Sequence, residues 1–255
     1  MKNLKIQDSV EKSFRFSFQL KKFLPYFVFQ LVVFAFMAIP IWNMIKAATM
    51  GNLNALSVAA AFASNFGTMM LGVLVAIVLG VLVQGTYIHN YRFKKSLKKS
   101  FNFAKKKFWS LLGVMLAIAV LTTIASLIPV LGWLLSLIVT LALIFGFQAV
   151  VLNNMGFSKA IKKSWNIFRK NWLGVLVAVI VMSVISIVIA FLFAIPMLFV
   201  LFSAIASFSS GTATAFSEYA VLLLLTGLVF LLGSAISKVF QIAFLTEMYM
   251  KLKGR

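Results

Sequence analysis

Residues 156–196 read GFSKAIKKSWNIFRKNWLGVLVAVIVMSVISIVIAFLFAIP, and the two halves of this stretch obey different rules. In the first half Ile161, Trp165, Phe168 and Trp172 recur at i, i+4, i+7 and i+11, the spacing of one helix face. Lys162, Lys163, Asn166, Arg169 and Lys170 cover the opposite face. From Leu173 to Ile195 there is no charged residue, and a run of that length matches the hydrocarbon thickness of a bilayer. A basic amphipathic helix therefore leads into a membrane-length apolar helix that closes on Ile195-Pro196.

The same order occurs twice upstream. Lys163-Ser164-Trp165 has counterparts in Lys12-Ser13-Phe14 and Lys99-Ser100-Phe101, each set in a basic amphipathic stretch. The apolar runs that follow end at Ile39-Pro40 and Ile128-Pro129, as the third ends at Ile195-Pro196. A second apolar segment comes next in each copy, with a glutamine near its end: Gln84, Gln148 and Gln241. Six residues further on stand Asn90, Asn154 and Glu247. The second and third copies align without a gap from Gln84/Gln148 to Phe108/Trp172 at a constant offset of 64. The first joins through Ile6, Val10 and Phe14 and needs two extra residues before Lys22-Phe23. Units of about 6–91, 93–155 and 157–249 follow, within a single membrane domain covering 1–255.

Hydrophobic residues make up 63% of the chain and charged residues 11%, well outside the composition of soluble domains. The expected fold is all-α: a polytopic membrane helix bundle of six transmembrane helices in three repeated units. Each unit begins with a cytoplasmic amphipathic interfacial helix. The expected spans are 23–46, 66–88, 108–128, 131–152, 172–195 and 219–245. The first is itself long enough to cross, so it reads as a span and not as a cleaved signal. Residues 41–65 and 197–218 are expected as extracytoplasmic excursions, within which Met197–Ala206 reads either as an extension of the fifth span or as a segment along the outer surface. Pro129–Gly132 leaves room only for a tight hairpin.

The net charge of +20 is explained by position. Of 24 Lys and Arg residues, 22 fall in residues 1–22, 92–107, 159–170 and 251–255, which alternate with stretches almost free of them. That is the positive-inside pattern of a multi-pass protein of the cytoplasmic membrane with both termini cytoplasmic, and it displaces nucleic acid as the partner. The partners expected are the bilayer and its anionic phospholipid headgroups; protein partners are not specified. Lys98, Lys99, Lys105, Lys106, Lys162, Lys163, Arg169 and Lys170 are the candidate headgroup contacts. Phe14, Phe101, Phe108, Trp165, Phe168 and Trp172 are the candidate interfacial anchors. Ser13, Ser100 and Ser164 are expected to cap or back-bond their own helices, and Ser158 to cap the third amphipathic helix.

Gln84, Gln148 and Gln241, with Asn90, Asn154 and Glu247, form an expected intramembrane polar layer. It reads either as interhelical packing or as the lining of a central cavity. Catalytic chemistry is short of groups: the acids are Asp8, Glu11, Glu218 and Glu247, the one histidine is His89, and there is no cysteine. No acid–base pair, triad or metal-ligand set can be drawn from these, so no catalytic residue, metal or cofactor is expected. His89 reads as an interfacial hydrogen-bonding group. The function expected is that of a non-enzymatic lipid-interacting or membrane-organising accessory protein. The alternative is a small-solute or lipid transporter with a polar central cavity.

Ala160, Ser164, Trp165, Arg169, Asn171 and Trp172 within residues 156–175 carry a resemblance to prokaryotic six-span proteins similar to the glycerophosphodiester phosphodiesterase membrane domain. The shared segment has the form Ala-x-x-x-Ser-Trp followed by Arg-x-Asn-Trp. The resemblance implies a six-span membrane domain and brings no phosphodiesterase activity, because in those members catalysis resides in a separate soluble barrel. Mitochondrial-carrier-type transporters share a layout of three two-span repeats. Their acid and base after each odd-helix proline are missing after Pro40, Pro129 and Pro196, so that likeness is architectural only.

Overall fold

The computed structural model describes residues 6–50, 55–209 and 215–254. Apolar runs bounded by basic stretches become long helices bounded by short ones: α1 (Ile6–Ser17), α2 (Leu20–Met50), α3 (Ala55–Phe93), α4 (Leu97–Lys106), α5 (Phe108–Ser126), α6 (Gly132–Leu143), α7 (Gly146–Asn153), α8 (Phe157–Ser209) and α9 (Ala215–Lys253). The described residues contain no strand. Among the described residues, five helical stretches can cross a membrane by length and composition: Phe62–Phe93, Phe108–Ser126, Gly132–Asn153, Phe157–Ala206 and Val221–Lys253. A sixth is added if α1 and α2, bent by 70° at their junction, are taken as one span.

Each amphipathic stretch is separated from its apolar run by a backbone break. Between α1 and α2 the break falls at Phe18-Gln19, where the sequence carries its two extra residues. Between α4 and α5 it is Lys107 (φ −100°, ψ 7°), and inside α8 it is Asn171 (φ −137°, ψ 37°). Lys107 and Asn171 stand 64 residues apart, the offset at which their surrounding sequences align. A helix with one polar face and a helix apolar all round need different surroundings, and a break lets one chain satisfy both.

Three features differ from the sequence reading. Ile39-Pro40 and Ile195-Pro196 do not end their helices: α2 runs through Pro25 and Pro40 to Met50, and α8 through Pro196 to Ser209. Proline inside a helix removes one hydrogen bond and kinks the chain, yet is tolerated in membrane-type helices where neighbours re-satisfy the freed groups. Residues 197–206 therefore extend the fifth long helix, and most of 41–65 is helix on either side of 51–54. Residues 51–54 and 210–214, within the expected connections, and the side chain of Glu218 lie outside the described residues. At Ile128-Pro129, by contrast, the helix does stop. Val130 takes φ 64°, and Gly132 lies so close to Ser126 that a Cβ would sit 2.5 Å from its carbonyl oxygen. The third difference is in the fourth apolar run, which breaks at Ile144-Phe145 into α6 and α7.

The core gathers buried residues from within 81–90, 141–151 and 235–252, with Leu111 and Val114 of α5 and Ala160, Ile167 and Val175 of α8. Its largest fully buried side chains include Phe145, Phe240, Phe244 and Tyr249. The α6–α7 stretch is the most enclosed of the membrane-length segments, 56% buried against 17–28% for the others. Away from that core the apolar side chains point outward: Val130 is 87% exposed, Trp133 72% and Phe199 74%. Apolar surface on that scale needs a cover, and hydrocarbon supplies one.

Candidate functional site

Hydrogen bonds gather the polar ends of the helices at one end of the bundle. Lys22 of α2 reaches Asn90 of α3 at 2.8 Å, and Lys107, before α5, reaches the carbonyl of Asn154 beyond α7 at 3.3 Å. Lys253 of α9 reaches Asn153 of α7 at 2.9 Å, and Lys251 of α9 reaches Ser9 of α1 at 2.6 Å. The three amphipathic segments lie at this basic end, each burying a face of small residues. Ser9, Ser13 and Ser17 of α1, Ser100 and Ala104 of α4, and Ala160 and Ser164 of α8 are all fully buried. Small residues let helices approach closely, so packing selects them where water would have selected large apolar ones.

The motif serines behave differently from one another. The Ser13 hydroxyl donates to the carbonyl of Ser9 at 2.7 Å, a bond within its own helix as expected. Ser100 and Ser164 depart from that expectation and reach across to other helices. Ser100 Oγ lies 3.0 Å from His89 Nδ1, joining α4 to α3. Ser164 Oγ donates to the carbonyl of Ala142 at 2.7 Å and accepts from the N–H of Phe145 at 3.2 Å. The break between α6 and α7 frees those backbone groups inside the protein, where an unpaired one is costly, and Ser164 satisfies both. Ser158 is not the expected N-cap, because α8 already begins at Phe157. A serine does cap α4, with Ser96 Oγ accepting from the N–H of Lys99 at 3.4 Å.

Of the candidate headgroup contacts, Lys98, Lys99, Lys105, Lys106, Lys162, Arg169 and Lys170 are exposed, and Lys163 is half-buried. Phe14, Phe101, Trp165 and Trp172 are exposed, whereas Phe108 and Phe168 pack partly against the core. Lys105 Nζ lies 5.8 Å from the centroid of the Phe101 ring, a cation–π contact on the outer face of α4.

The six polar-layer residues occupy unlike surroundings. Gln148 is fully buried with neither amide atom partnered. Gln241 accepts from Lys238 at 3.2 Å, and Gln84 is half-buried. No hydrogen bond joins any two of these three glutamines among the described residues. Asn154 takes the left-handed conformation (φ 55°, ψ 32°) that ends α7.

Asn90 and Glu247 belong to a cleft of about 530 Å³ between α1, the start of α2 and the ends of α3 and α9. Asn90 is its hub. The side-chain oxygen accepts from Lys22, and the side-chain nitrogen donates to the carbonyl of Lys95 in the α3–α4 connection. Lys22 Nζ also sits 5.0 Å from the centroid of Phe16. The Tyr91 hydroxyl donates to Glu247 at 2.9 Å. Lys12 and Arg15 line the cleft but are each paired within α1, to Asp8 at 3.1 Å and to Glu11 at 2.7 Å. Lys22, Arg92 and Lys94 also line it, and among the described residues no carboxylate forms an ion pair with them. Hydrogen bonds from Lys12 and then Lys251 hold the Asp8 carboxyl below the ordinary carboxylate range, so α1 is clasped to α9 through an ionised Asp8. Sequence reasoning counted Lys22, Arg92 and Lys94 as topology signals only. The clue was present in Arg92, Lys94 and Lys95 crowding the end of an apolar run.

Membrane-length apolar helices and one basic end make this an all-helical protein of the membrane type. Residues 23–252 match the family described as Domain of unknown function (DUF7847), and the chain belongs to that family. Comparison with curated proteins and with solved structures finds no match. The family description names no activity, and nothing in these comparisons links the chain to the glycerophosphodiester phosphodiesterase membrane domain.

Proposed function

We propose that this is a non-enzymatic, six-span protein of the cytoplasmic membrane, with cytoplasmic termini, whose basic end engages anionic phospholipid headgroups in a membrane-organising or accessory role. The observation that carries the reading is the common design of α1, α4 and the first arm of α8. Each buries small residues and turns cations and an aromatic side chain outward. Each exposed Lys or Arg near an anionic leaflet is worth about 1 kcal/mol, so a collar of this size is a substantial anchor. Three repeated units are part of the proposal, supported by the gapless alignment and by the backbone breaks at Lys107 and Asn171. So is kinship with the phosphodiesterase-type membrane domains, supported by six residues between Ala160 and Trp172 and limited to layout. A transport pathway would need Gln84, Gln148 and Gln241 to share one wet cavity. Their unlike surroundings favour the headgroup reading instead.

The full chain in nanodiscs of mixed phosphatidylglycerol and phosphatidylcholine tests this. Phosphatidylglycerol should be enriched around the wild type, and the enrichment should fall with salt. It should also fall when Lys98, Lys99, Lys105, Lys106, Lys162, Lys163, Arg169 and Lys170 are all replaced by glutamine. Equal lipid composition around both proteins would overturn the reading.

A further inference from the structure

We propose that the cleft between α1, α2, α3 and α9 is a discrete site for one phosphomonoester group, gripped by Arg92, Lys94 and Lys22. The argument begins with charge. Five cations and one carboxylate line the cleft, and Lys12 and Arg15 are already neutralised by Asp8 and Glu11. Lys22, Arg92 and Lys94 remain, and the single carboxylate of Glu247 answers only one of them, so the concavity keeps an excess of two positive charges. A monoanion would leave one of those charges unanswered, whereas the dianion of a phosphomonoester answers both. Arg92 contributes a planar fork suited to two phosphate oxygens at once, and the lysines act as point charges.

Position is the second line of argument. Lys22 does not wave in solvent, since Asn90 and the face of Phe16 fix its ammonium at the cleft. Through its other amide atom Asn90 also holds the carbonyl of Lys95, pinning the connection that carries Lys94. One fully buried side chain thus sets both walls, which makes Asn90 a positioning residue. Lys94 itself has φ 50°, a conformation that glycine adopts without cost and other residues do not. A strained lysine retained there fits a demand on its side chain.

The neighbouring cleft of about 380 Å³ indicates where the phosphate comes from. It shares Arg92 and Met250 with the first and is otherwise lined by Phe93, Leu152, Lys253, Gly254 and Tyr249, whose hydroxyl is buried and unpartnered. A cleft rich in cations beside one walled by Phe93, Leu152 and Met250 suits an amphiphile, with the phosphate at Arg92 and the glycerol and acyl chains beyond it. The proposal deepens the headgroup reading and rests on it for this source. The collar on α4 and α8 attracts negative charge in general, whereas the cleft takes one group.

Native mass spectrometry of the detergent-purified full chain, titrated with phosphatidic acid, phosphatidylglycerol or inorganic phosphate, tests it. One saturable adduct per chain is expected with phosphatidic acid, weaker by at least about tenfold in the Arg92→Gln/Lys94→Gln variant, the size of effect that losing charge-assisted hydrogen bonds implies. Two further variants separate the site from bulk charge and from folding. Arg92→Lys keeps the charge but should still weaken binding several-fold. Lys94→Gly should weaken binding while the melting temperature stays level or rises. A variant of the collar (Lys98, Lys99, Lys162 and Lys163 to glutamine) should keep the saturable adduct even as it loses general enrichment of anionic lipid. If inorganic phosphate displaces the lipid at matched concentration, the phosphate site stands with a free anion as its source. Phosphatidic acid binding unchanged in the cleft variants overturns the cleft and leaves the collar standing. Loss of the adduct in the collar variant alone does the same.

Discussion

The apolar helix segments near the basic end and those remote from it are packed in opposite ways. Near the basic end, Val81 to Asn90, Leu141 to Val151 and Ala235 to Leu252 interlock with Phe145, Phe240, Phe244 and Tyr249 fully buried. Side-chain hydrogen bonds cross between helices there, as from Ser164 to Ala142, Lys22 to Asn90 and Tyr91 to Glu247. In the remote half, Phe199, Phe202, Val221 and Leu224 face outward, and among the described residues the side-chain bonds that cross between helices are few, such as Ser136 to the carbonyl of Thr122 and Asn43 to Asn65. Hydrophobicity therefore does not decide burial in this protein. In a bilayer an apolar side chain is satisfied by lipid or by protein, and what selects protein is a close fit or a polar group that needs a partner.

The sharpest way to break this comparison is to truncate one phenylalanine in each half. Phe240→Ala should cost about 3 kcal/mol, the low end for such truncations, because in lipid only the lost packing counts. Phe202→Ala, two-thirds exposed, should stay within about 0.5 kcal/mol. Equilibrium unfolding in mixed micelles measures both, and equal costs would erase the distinction.

Glycine should give effects of opposite sign. A Cβ at Gly146 would lie 2.7 Å from Cγ1 of the buried, stiff Val114, whereas one at Gly227 would meet nothing within 4 Å. Gly146→Ala should destabilise by about 1–3 kcal/mol through overpacking. Gly227→Ala should stabilise by about 0.5–1 kcal/mol through helix propensity. Thermal melts of the two variants check the signs.

Ser164→Ala strands a buried carbonyl and a buried N–H at the α6–α7 break and should cost about 1–2 kcal/mol. Thr140→Ala, whose exposed hydroxyl only bonds back to Ser136, should be nearly silent. Hydrogen exchange at Phe145 should quicken in the first variant alone.

The smallest effect concerns pH. Because folding lowers the Asp8 pKa, its bonds to Lys12 and Lys251 contribute above the ordinary carboxylate range and are lost as pH falls through the folded value. The α1 amides should exchange faster, relative to those of α9, at pH 3 than at pH 7. Asp8→Asn should remove that dependence.

Much of the layout was legible in the sequence, because a change from helical amphipathicity to uniform apolarity marks where an interfacial helix gives way to a long one. The expected spans began at 108 and 172, and the backbone breaks at Lys107 and Asn171 stand directly before those positions. The proline stops at Pro40 and Pro196 were misread, because the rule that proline ends helices is calibrated on proteins in water. The protein-facing sides of the amphipathic helices were not legible. Periodicity singled out Trp165 and Trp172 as interfacial anchors, and both are exposed, while the buried face is made by Ala160 and Ser164, which that period does not mark. The cleft was invisible because it joins Lys22 to Asn90 and Tyr91 to Glu247, pairs 68 and 156 residues apart.

The central claim is that the basic end faces the cytoplasm and the remote half lies in and beyond the bilayer. Because the chain contains no cysteine, single cysteines can be read one at a time with an impermeant thiol reagent on intact cells. Asn54→Cys and Gly211→Cys should label, whereas Ser96→Cys, at the basic end, should label only after the membrane is permeabilised. Labelling of Ser96→Cys in intact cells, with Asn54→Cys and Gly211→Cys protected, would contradict the account.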